Sequence, residues 1–410
     1  MRDFTRPLRV TDDVYWVGVN DRRKARFENM WPIPEGISYN AYVIDAGDGF
    51  IAVDGVEEEY SDEYFSKLTE VVGDLSRIRL IVVNHLEPDH QGTLEELVRR
   101  TGAPVAISGT GAKMINDFYD VPRDRLRPVS DGEVLEVGNK RLRFIFTPWL
   151  HWPETMMTLD ETDSVLFTCD AFGSYRALSE GLFDDEVPLD EYVREAKRYY
   201  VNIVGKYAKN MLDAVRKLRP LMSSVKLVAP AHGILYRSNP LLPLDLSEEW
   251  ALPRLEREVT IVYISMYGHT VKALERLKEG LRSRGLNVKA LDAAEVHTSY
   301  ILSEANNSAG VILMFPTYDA SIPMPLFEVL YTFQVKLFGR GRPAGVVTSY
   351  GWGPIAKIAA EQVQRSGFKV VEPLVTLRTR PRPEELEKME ELASSMAKAV
   401  DEVMASQRTA

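Results

Sequence analysis

His85-Leu86-Glu87-Pro88-Asp89-His90 places two imidazoles and two carboxylates within six residues. That is a nitrogen and oxygen donor set for metal ions, with room for two ions side by side. The apolar run Leu80-Ile81-Val82-Val83 just before it is too short for a helix and reads as a buried strand. If the backbone stays extended beyond it, His85, Glu87 and Asp89 point the same way and His90 aims at a neighbouring point. Pro88 bars an earlier helix start and holds the preceding residue extended. Thr93 followed by Glu96 predicts a capping box for the next helix. A capping box accounts for neither the two histidines nor the two acids upstream.

Further donors sit at the ends of other strand-like runs. His151 lies in Leu150-His151-Trp152-Pro153, between the runs 142–147 and 156–159. Asp170 closes the apolar run 164–170, and His232 closes the run 225–233. Four of the six histidines therefore fall at strand ends, while His269 and His297 lie far downstream. A lone histidine there is more often a hydrogen-bonded structural residue; four of them beside the acidic motif point to metal. Asp170 is the natural bridge, because one carboxylate can give an oxygen to each ion. A His/carboxylate set without cysteine suits iron, manganese or zinc, and Glu87 as an extra hard donor favours a redox-active metal over a zinc pair. The single cysteine, Cys169, rules out an internal disulfide and any cysteine-paired rubredoxin-type or iron–sulfur site within this chain.

These donors need a scaffold of strands joined by helices and hairpins, which the pattern supplies. A hairpin is predicted to join 38–45 to 50–54 through Gly47-Asp48-Gly49. Helices are predicted over 60–72, 93–100 and 111–119, and a long one over 189–218 carries Tyr199-Tyr200. Composition changes near 246–253, separating a metal domain over 1–250 from a second domain over 257–405. There the rhythm is strand, helix, strand, helix, with continuous apolar strands such as Val259-Thr260-Ile261-Val262, as expected of an open, doubly wound parallel sheet. A strand over 370–377 and a helix over 383–404 end it. Ligands of such sheets sit outside the carboxyl ends of the strands. Three such ends carry Ser265-Met266-Tyr267-Gly268-His269-Thr270, Pro316-Thr317-Tyr318-Asp319 and Ser349-Tyr350-Gly351-Trp352-Gly353. The first offers hydroxyls and backbone N–H groups at a helix N-terminus, and it lacks both the dinucleotide glycine pattern and the P-loop lysine. The other two add aromatic groups able to sandwich a planar ring. Together they predict a flavin mononucleotide (FMN) pocket.

Across 410 residues, 45% hydrophobic and 27% charged content is that of a soluble globular protein with two domains or more. A net charge of −10 argues against non-specific nucleic-acid binding. No run reaches the length of a membrane span, and the N-terminal residues lack the apolar core of a secretory signal, so the cytoplasm is the expected location.

The pattern His85-x-Glu87-x-Asp89-His90, then His151, Asp170 and His232, followed by a flavodoxin-like domain, resembles the flavodiiron proteins (A-type flavoproteins) over nearly the whole chain. The resemblance implies an α/β chain with an N-terminal metallo-β-lactamase-like αββα domain holding two iron ions and a C-terminal flavodoxin-like domain holding FMN. It implies one iron on His85, Glu87 and His151, the other on Asp89, His90 and His232, and Asp170 shared. Hydrolytic relatives of the first domain carry His where this chain has Glu87. Asp319 stands where many members have Asn. Reduction of dioxygen to water or nitric oxide to nitrous oxide is implied, as is a head-to-tail homodimer or a tetramer. The electron donor implied is a rubredoxin, a reduced deazaflavin coenzyme or a flavin reductase. Tyr199 and Tyr200 are candidates to orient the ligands, although packed aromatics are common on long helices. The alternatives are a zinc-dependent hydrolase with an accessory flavin domain and an electron-carrying flavodoxin fused to an inactive metal scaffold.

Overall fold

The protein is described by a computed structural model covering residues 2–409. The chain forms two compact units, Met1–Ala251 and Leu252–Ala410.

The first unit holds two large sheets. One runs in the order Leu8–Arg9, Val14–Trp16, Tyr42–Asp45, Phe50–Val53, Ile78–Val83, Val105–Ser108, Leu126–Val129. It is antiparallel as far as Phe50–Val53 and parallel beyond. The other runs Val134–Val137, Lys140–Phe146, Met156–Asp160, Val165–Cys169, Leu227–Pro230. Side chains join the two sheets: the Tyr42 and Phe167 rings lie 5.0 Å apart, and Thr158 Oγ1 donates to Asn84 Oδ1 at 2.7 Å. Central strands such as Phe50–Val53 and Val165–Cys169 are buried at every position, as a sheet covered on both faces requires. The helix Ser61–Val72 buries Tyr64, Leu68 and Val72, one stripe at four-residue spacing.

Local details depart from the sequence pattern. The strand Ile78–Val83 stops before the metal motif, and Asp89 and His90 lie on a short helix, Pro88–Gln91, with Pro88 in its first turn. A turn of helix, not continued strand pleat, therefore aims these two side chains. The capping box does not form. Thr93 makes no capping hydrogen bond, its Oγ1 is buried without a partner, and Glu96 pairs with Arg100 instead. The chain over 189–218 is not one regular helix: Leu189–Tyr199 widens into a π-helical turn, Tyr200–Val204, then continues through Gly205–Tyr207 into Ala208–Leu218. The run 370–377 is split into Lys369–Val370 and Val375–Arg378, separated by Pro373, which has no N–H for a ladder.

The second unit is a parallel sheet in the order Asn287–Asp292, Glu256–Tyr263, Ser308–Pro316, Pro343–Tyr350, with Lys369–Val370 and Val375–Arg378 both pairing to the last of these. Strand order reverses direction between Glu256–Tyr263 and Ser308–Pro316, the point at which doubly wound sheets open a crevice. Val259, Ile261, Ile312 and Met314 pack with Leu274 and Leu277 of one helix and Leu392 and Met396 of the C-terminal helix Pro383–Thr409.

Candidate metal centre

The motif residues reach the centre from five segments of the first unit. His85 and Glu87 lie in the link after Ile78–Val83, and Asp89 and His90 lie on the short helix. His151 lies between Lys140–Phe146 and Met156–Asp160, Asp170 directly after Val165–Cys169, and His232 two residues after Leu227–Pro230. His85, Glu87, His151 and Asp170 present ligand atoms within 4.8 Å of one another, as do Asp89, His90 and His232. Asp170 faces both groups with different oxygens. Its Oδ2 lies 3.3 Å from His85 Nε2 and 3.4 Å from His151 Nε2; its Oδ1 lies 3.0 Å from His90 Nε2 and 3.2 Å from His232 Nε2.

The donor chemistry fits a pair of cations. Both oxygens of Asp89, Asp170 Oδ2 and His232 Nε2 are buried without a hydrogen-bond partner in the protein. Leaving such atoms unsatisfied costs about 1–3 kcal/mol each, more when charged, unless something else occupies them. Protonation follows the same logic. Burial disfavours the charged imidazoles, but the hydrogen bonds His85 makes to the carboxylates of Glu154 and Glu87, with the charge of Asp170, push His85 up to about 10. His232 rises to about 10 against its burial through Asp170 and Asp89. Burial alone would raise Asp170, yet the surrounding histidines hold it well below the carboxylate range. The same carboxylates that favour protons on these imidazoles would favour cations among them, which bind in competition with protons.

The supporting contacts were not legible in the motif. Glu154, 3% exposed, accepts His85 Nδ1 at 2.7 Å and the Leu86 N–H at 3.0 Å. His232 Nδ1 lies 2.7 Å from the Ser38 carbonyl. Both histidines therefore turn Nε2 toward the cage. Buried Asp54 accepts the Asn84 N–H and side-chain amide at 2.9 and 2.8 Å, and Gln91 Nε2 at 3.0 Å, bracing both ends of the motif. Gly55 permits this closeness: a Cβ there would come within 2.4 Å of Thr93 Oγ1 and 3.0 Å of the His90 carbonyl. Tyr199 Oη donates to Asp170 Oδ1 at 2.7 Å, and burial with the nearby carboxylates raises its phenol well above the usual range. Tyr200, at the start of the π-helical turn, instead packs its ring 5.6 Å from Trp250. Tyr199 and Tyr200 are adjacent on a helix, so only one of the two can face the cage, and with Asp170 29 residues away no local spacing says which.

In the second unit the three loops leave the carboxyl ends of Glu256–Tyr263, Ser308–Pro316 and Pro343–Tyr350, on the two sides of the reversal in strand order and beside it. Ser265, Met266, Tyr267 and Gly268 precede the helix His269–Arg282, in whose first turn Thr270 is buried. Ser265 Oγ accepts the Gly268 N–H at 3.2 Å, and Gly268 takes φ +81°. Pro316, Thr317, Tyr318 and Asp319 form the second loop, with the Thr317 N–H bonded to the Ser349 carbonyl of the third at 2.7 Å. Ser349, Tyr350, Gly351, Trp352 and Gly353 complete the third. Tyr267 and Trp352 are 89% and 85% exposed, large apolar rings with no packing of their own. His269 and His297 belong to this unit; His297 caps the helix Thr298–Ala305.

Residues 37–233 match the ODP family beta lactamase model and residues 261–392 the flavodoxin model. The chain is 30% identical over 394 residues to the type A flavoprotein of Rhodobacter capsulatus, covering 93% of this chain and 89% of that one. It is 31% identical over 384 residues to an anaerobic nitric oxide reductase flavorubredoxin of Aeromonas salmonicida, covering 92% and 72%. Among solved structures, the rubredoxin oxygen:oxidoreductase of Desulfovibrio gigas superposes with a TM-score of 0.91 at 28% identity, covering 98% of this chain and all of that one. A mutant flavo di-iron protein of Thermotoga maritima gives 0.86 at 30% identity, covering 96% and 98%.

Proposed function

Because this chain belongs to the flavodiiron (type A flavoprotein) family, we propose that it reduces dioxygen to water, nitric oxide to nitrous oxide, or both. The single observation that carries this reading is Asp170, whose two oxygens each face a separate group of histidines and carboxylates. His85, Glu87 and His151 would hold one iron, Asp89, His90 and His232 the other, with Asp170 between them, all within a domain over 1–250. FMN would be held in a domain over 257–405 by Ser265, Met266, Tyr267, Gly268, His269 and Thr270, by Pro316, Thr317, Tyr318 and Asp319, and by Ser349, Tyr350, Gly351, Trp352 and Gly353. Water formation takes four electrons and four protons per dioxygen; nitrous oxide with one water takes two of each per pair of nitric oxides. When bound, the iron pair and the flavin supply two electrons each and an open coordination site for the gas.

The chain's own groups do the positioning. Tyr199 keeps its proton and holds Asp170 Oδ1 by donating to it. Phe27 covers the His232 side of the cage, its ring 5.4 Å from that imidazole and 5.9 Å from Tyr175. With apolar rings on that side and four imidazoles at most 12% exposed, the cage is shielded from bulk water. A head-to-tail homodimer, or a tetramer of two, would set the flavin loops of one chain against the metal loops of another; exposed Tyr267 and Trp352 in one unit and Trp149 in the other are suited to such a contact. A rubredoxin-type donor would supply the electrons. The buried, unpaired thiol of Cys169 suits a reducing cytoplasm.

The test is anaerobic reduction of protein of known metal content, followed by stopped-flow mixing with each gas. Rapid flavin and iron oxidation by either gas is the expected result. Two zinc ions per chain with esterase turnover would replace this reading by the hydrolase one. His85, His90, His151 and His232 with three first-row-metal carboxylates favour the redox reading through Glu87, which occupies a position carried by histidine in hydrolytic relatives of the fold.

A further inference from the structure

Resting on the two-metal reading above, we propose that Glu154 makes the two metal positions unequal, by placing an additional buried negative charge behind His85 that has no counterpart behind His232. In the number and kind of ligands the two groups are balanced. Each has two histidines and one carboxylate of its own, and each shares Asp170. The difference lies one bond further out. His85 Nδ1 is 2.7 Å from the carboxylate of Glu154, whereas His232 Nδ1 is 2.7 Å from a neutral main-chain carbonyl, that of Ser38. His90 Nδ1 has no partner at all.

Glu154 is built into this role. Its Oε1 receives both the His85 ring and the Leu86 N–H, so the carboxylate is fixed from two directions. Ser108 Oγ donates to its main-chain carbonyl at 2.7 Å, anchoring the backbone that carries it. Its Oε2 is buried and unpartnered, so the charge is not spent on another cation. Among the described residues no lysine or arginine bonds to Glu154, and its ion-pair partner is His85. A carboxylate behind an imidazole raises the basicity of the opposite nitrogen, and losing such a partner typically costs about 10–100-fold in metal affinity. A carbonyl fixes the tautomer with less charge. The His85–Glu87–His151 position should therefore hold its ion more tightly and release it more slowly than the Asp89–His90–His232 position.

The experiment is metal release from the zinc-loaded full chain, purified with its flavin, into excess chromogenic chelator, comparing wild type with Glu154→Gln. Gln keeps an acceptor for His85 Nδ1 and for Leu86 and removes only the charge. The expected result is two release phases in wild type, one zinc each, with the slow phase accelerated roughly 10–100-fold in Glu154→Gln and the fast phase unchanged. Glu154→Asp, which keeps the charge but shortens its reach, should move the slow phase less. A merely structural role predicts a lowered melting temperature with both phases unmoved or moved together, and either result overturns the proposal. Equal phases in wild type also overturn it while leaving the two-metal reading intact. Fewer than two bound ions in wild type would sink that reading first. Should Glu154→Gln fail to fold, the wild-type phases decide alone: equal phases contradict the proposal, and one slow and one fast zinc support it.

Discussion

The two functional regions of this chain are built on opposite plans. In the first unit every candidate ligand is buried or nearly so, and a shell of acceptors and donors from the protein itself (Glu154, the Ser38 carbonyl, Tyr199, and Asp54 with Asn84 and Gln91) fixes these side chains. In the second, the loops carry large rings turned outward, Tyr267 and Trp352 among them, and few hydrogen bonds of their own. Two small, highly charged ions cannot organise seven side chains without a prepared cage, since each misplaced carboxylate would be a buried charge. A flat, extended cofactor can complete a loosely organised pocket with its own surface. The contrast teaches that preorganisation is concentrated where the ligand is smallest and its charge most dense.

The sharpest way to break the comparison is Asp170→Ala. It removes the carboxylate common to both groups, and should abolish gas consumption by well over the roughly 100-fold that losing an outer-shell partner can cost, with loss of bound metal by elemental analysis and flavin retained. Retained activity would show that the cage does not depend on its bridge. Next in size is the response of metal-stripped protein to pH. His85 and His232 are both raised from 6.5 to about 10 in the folded chain. A raised folded-state value stabilises fully below the unfolded value and fades as pH climbs through the folded one. The apo protein should therefore lose thermal stability between about pH 7 and pH 10, whereas the metal-loaded protein, whose imidazoles are already neutral ligands, should not; melting curves by circular dichroism at both ends of that window test the sign. Tyr199→Phe should be milder, removing one hydrogen bond to a charged acceptor worth about 1.5–3 kcal/mol, and should show as weaker metal retention and slower gas turnover with unchanged FMN content. The smallest effect belongs to the open region. Trp352→Ala should weaken FMN binding by only about 0.5–1.5 kcal/mol, the scale of one aromatic contact, measured by fluorescence titration of the apoflavin protein, with no change in melting temperature.

What was readable in advance follows the same division. The candidate ligands could be picked out because a strand end leaves a polar side chain few reasons to be histidine or acid, and four of six histidines occupied such places; the structure brings them together. The alternation of strands and helices in the second unit followed from continuous apolar runs alternating with amphipathic stretches. Partnerships set by tertiary proximity were not readable. Glu154 stands 69 residues from His85, and the Ser38 carbonyl 194 residues from His232, so no local spacing announces either. Thr93 and Glu96 carried the spacing of a capping box, but the close approach of Gly55 buries the threonine hydroxyl and the solvent side draws the glutamate to Arg100. The widened turn at Tyr200–Val204 escaped because its residues continue a helical pattern; only the hydrogen-bond step changes there, and a hydrogen-bond step has no sequence signature of its own.

The carbonyl behind His232 has one last consequence. Every amino acid carries that group, so no codon change at position 38 deletes it outright, whereas the acid behind His85 can be lost by a single substitution. Inherited variation and deliberate engineering can therefore retune one half of the cage directly, and must move the backbone to reach the other.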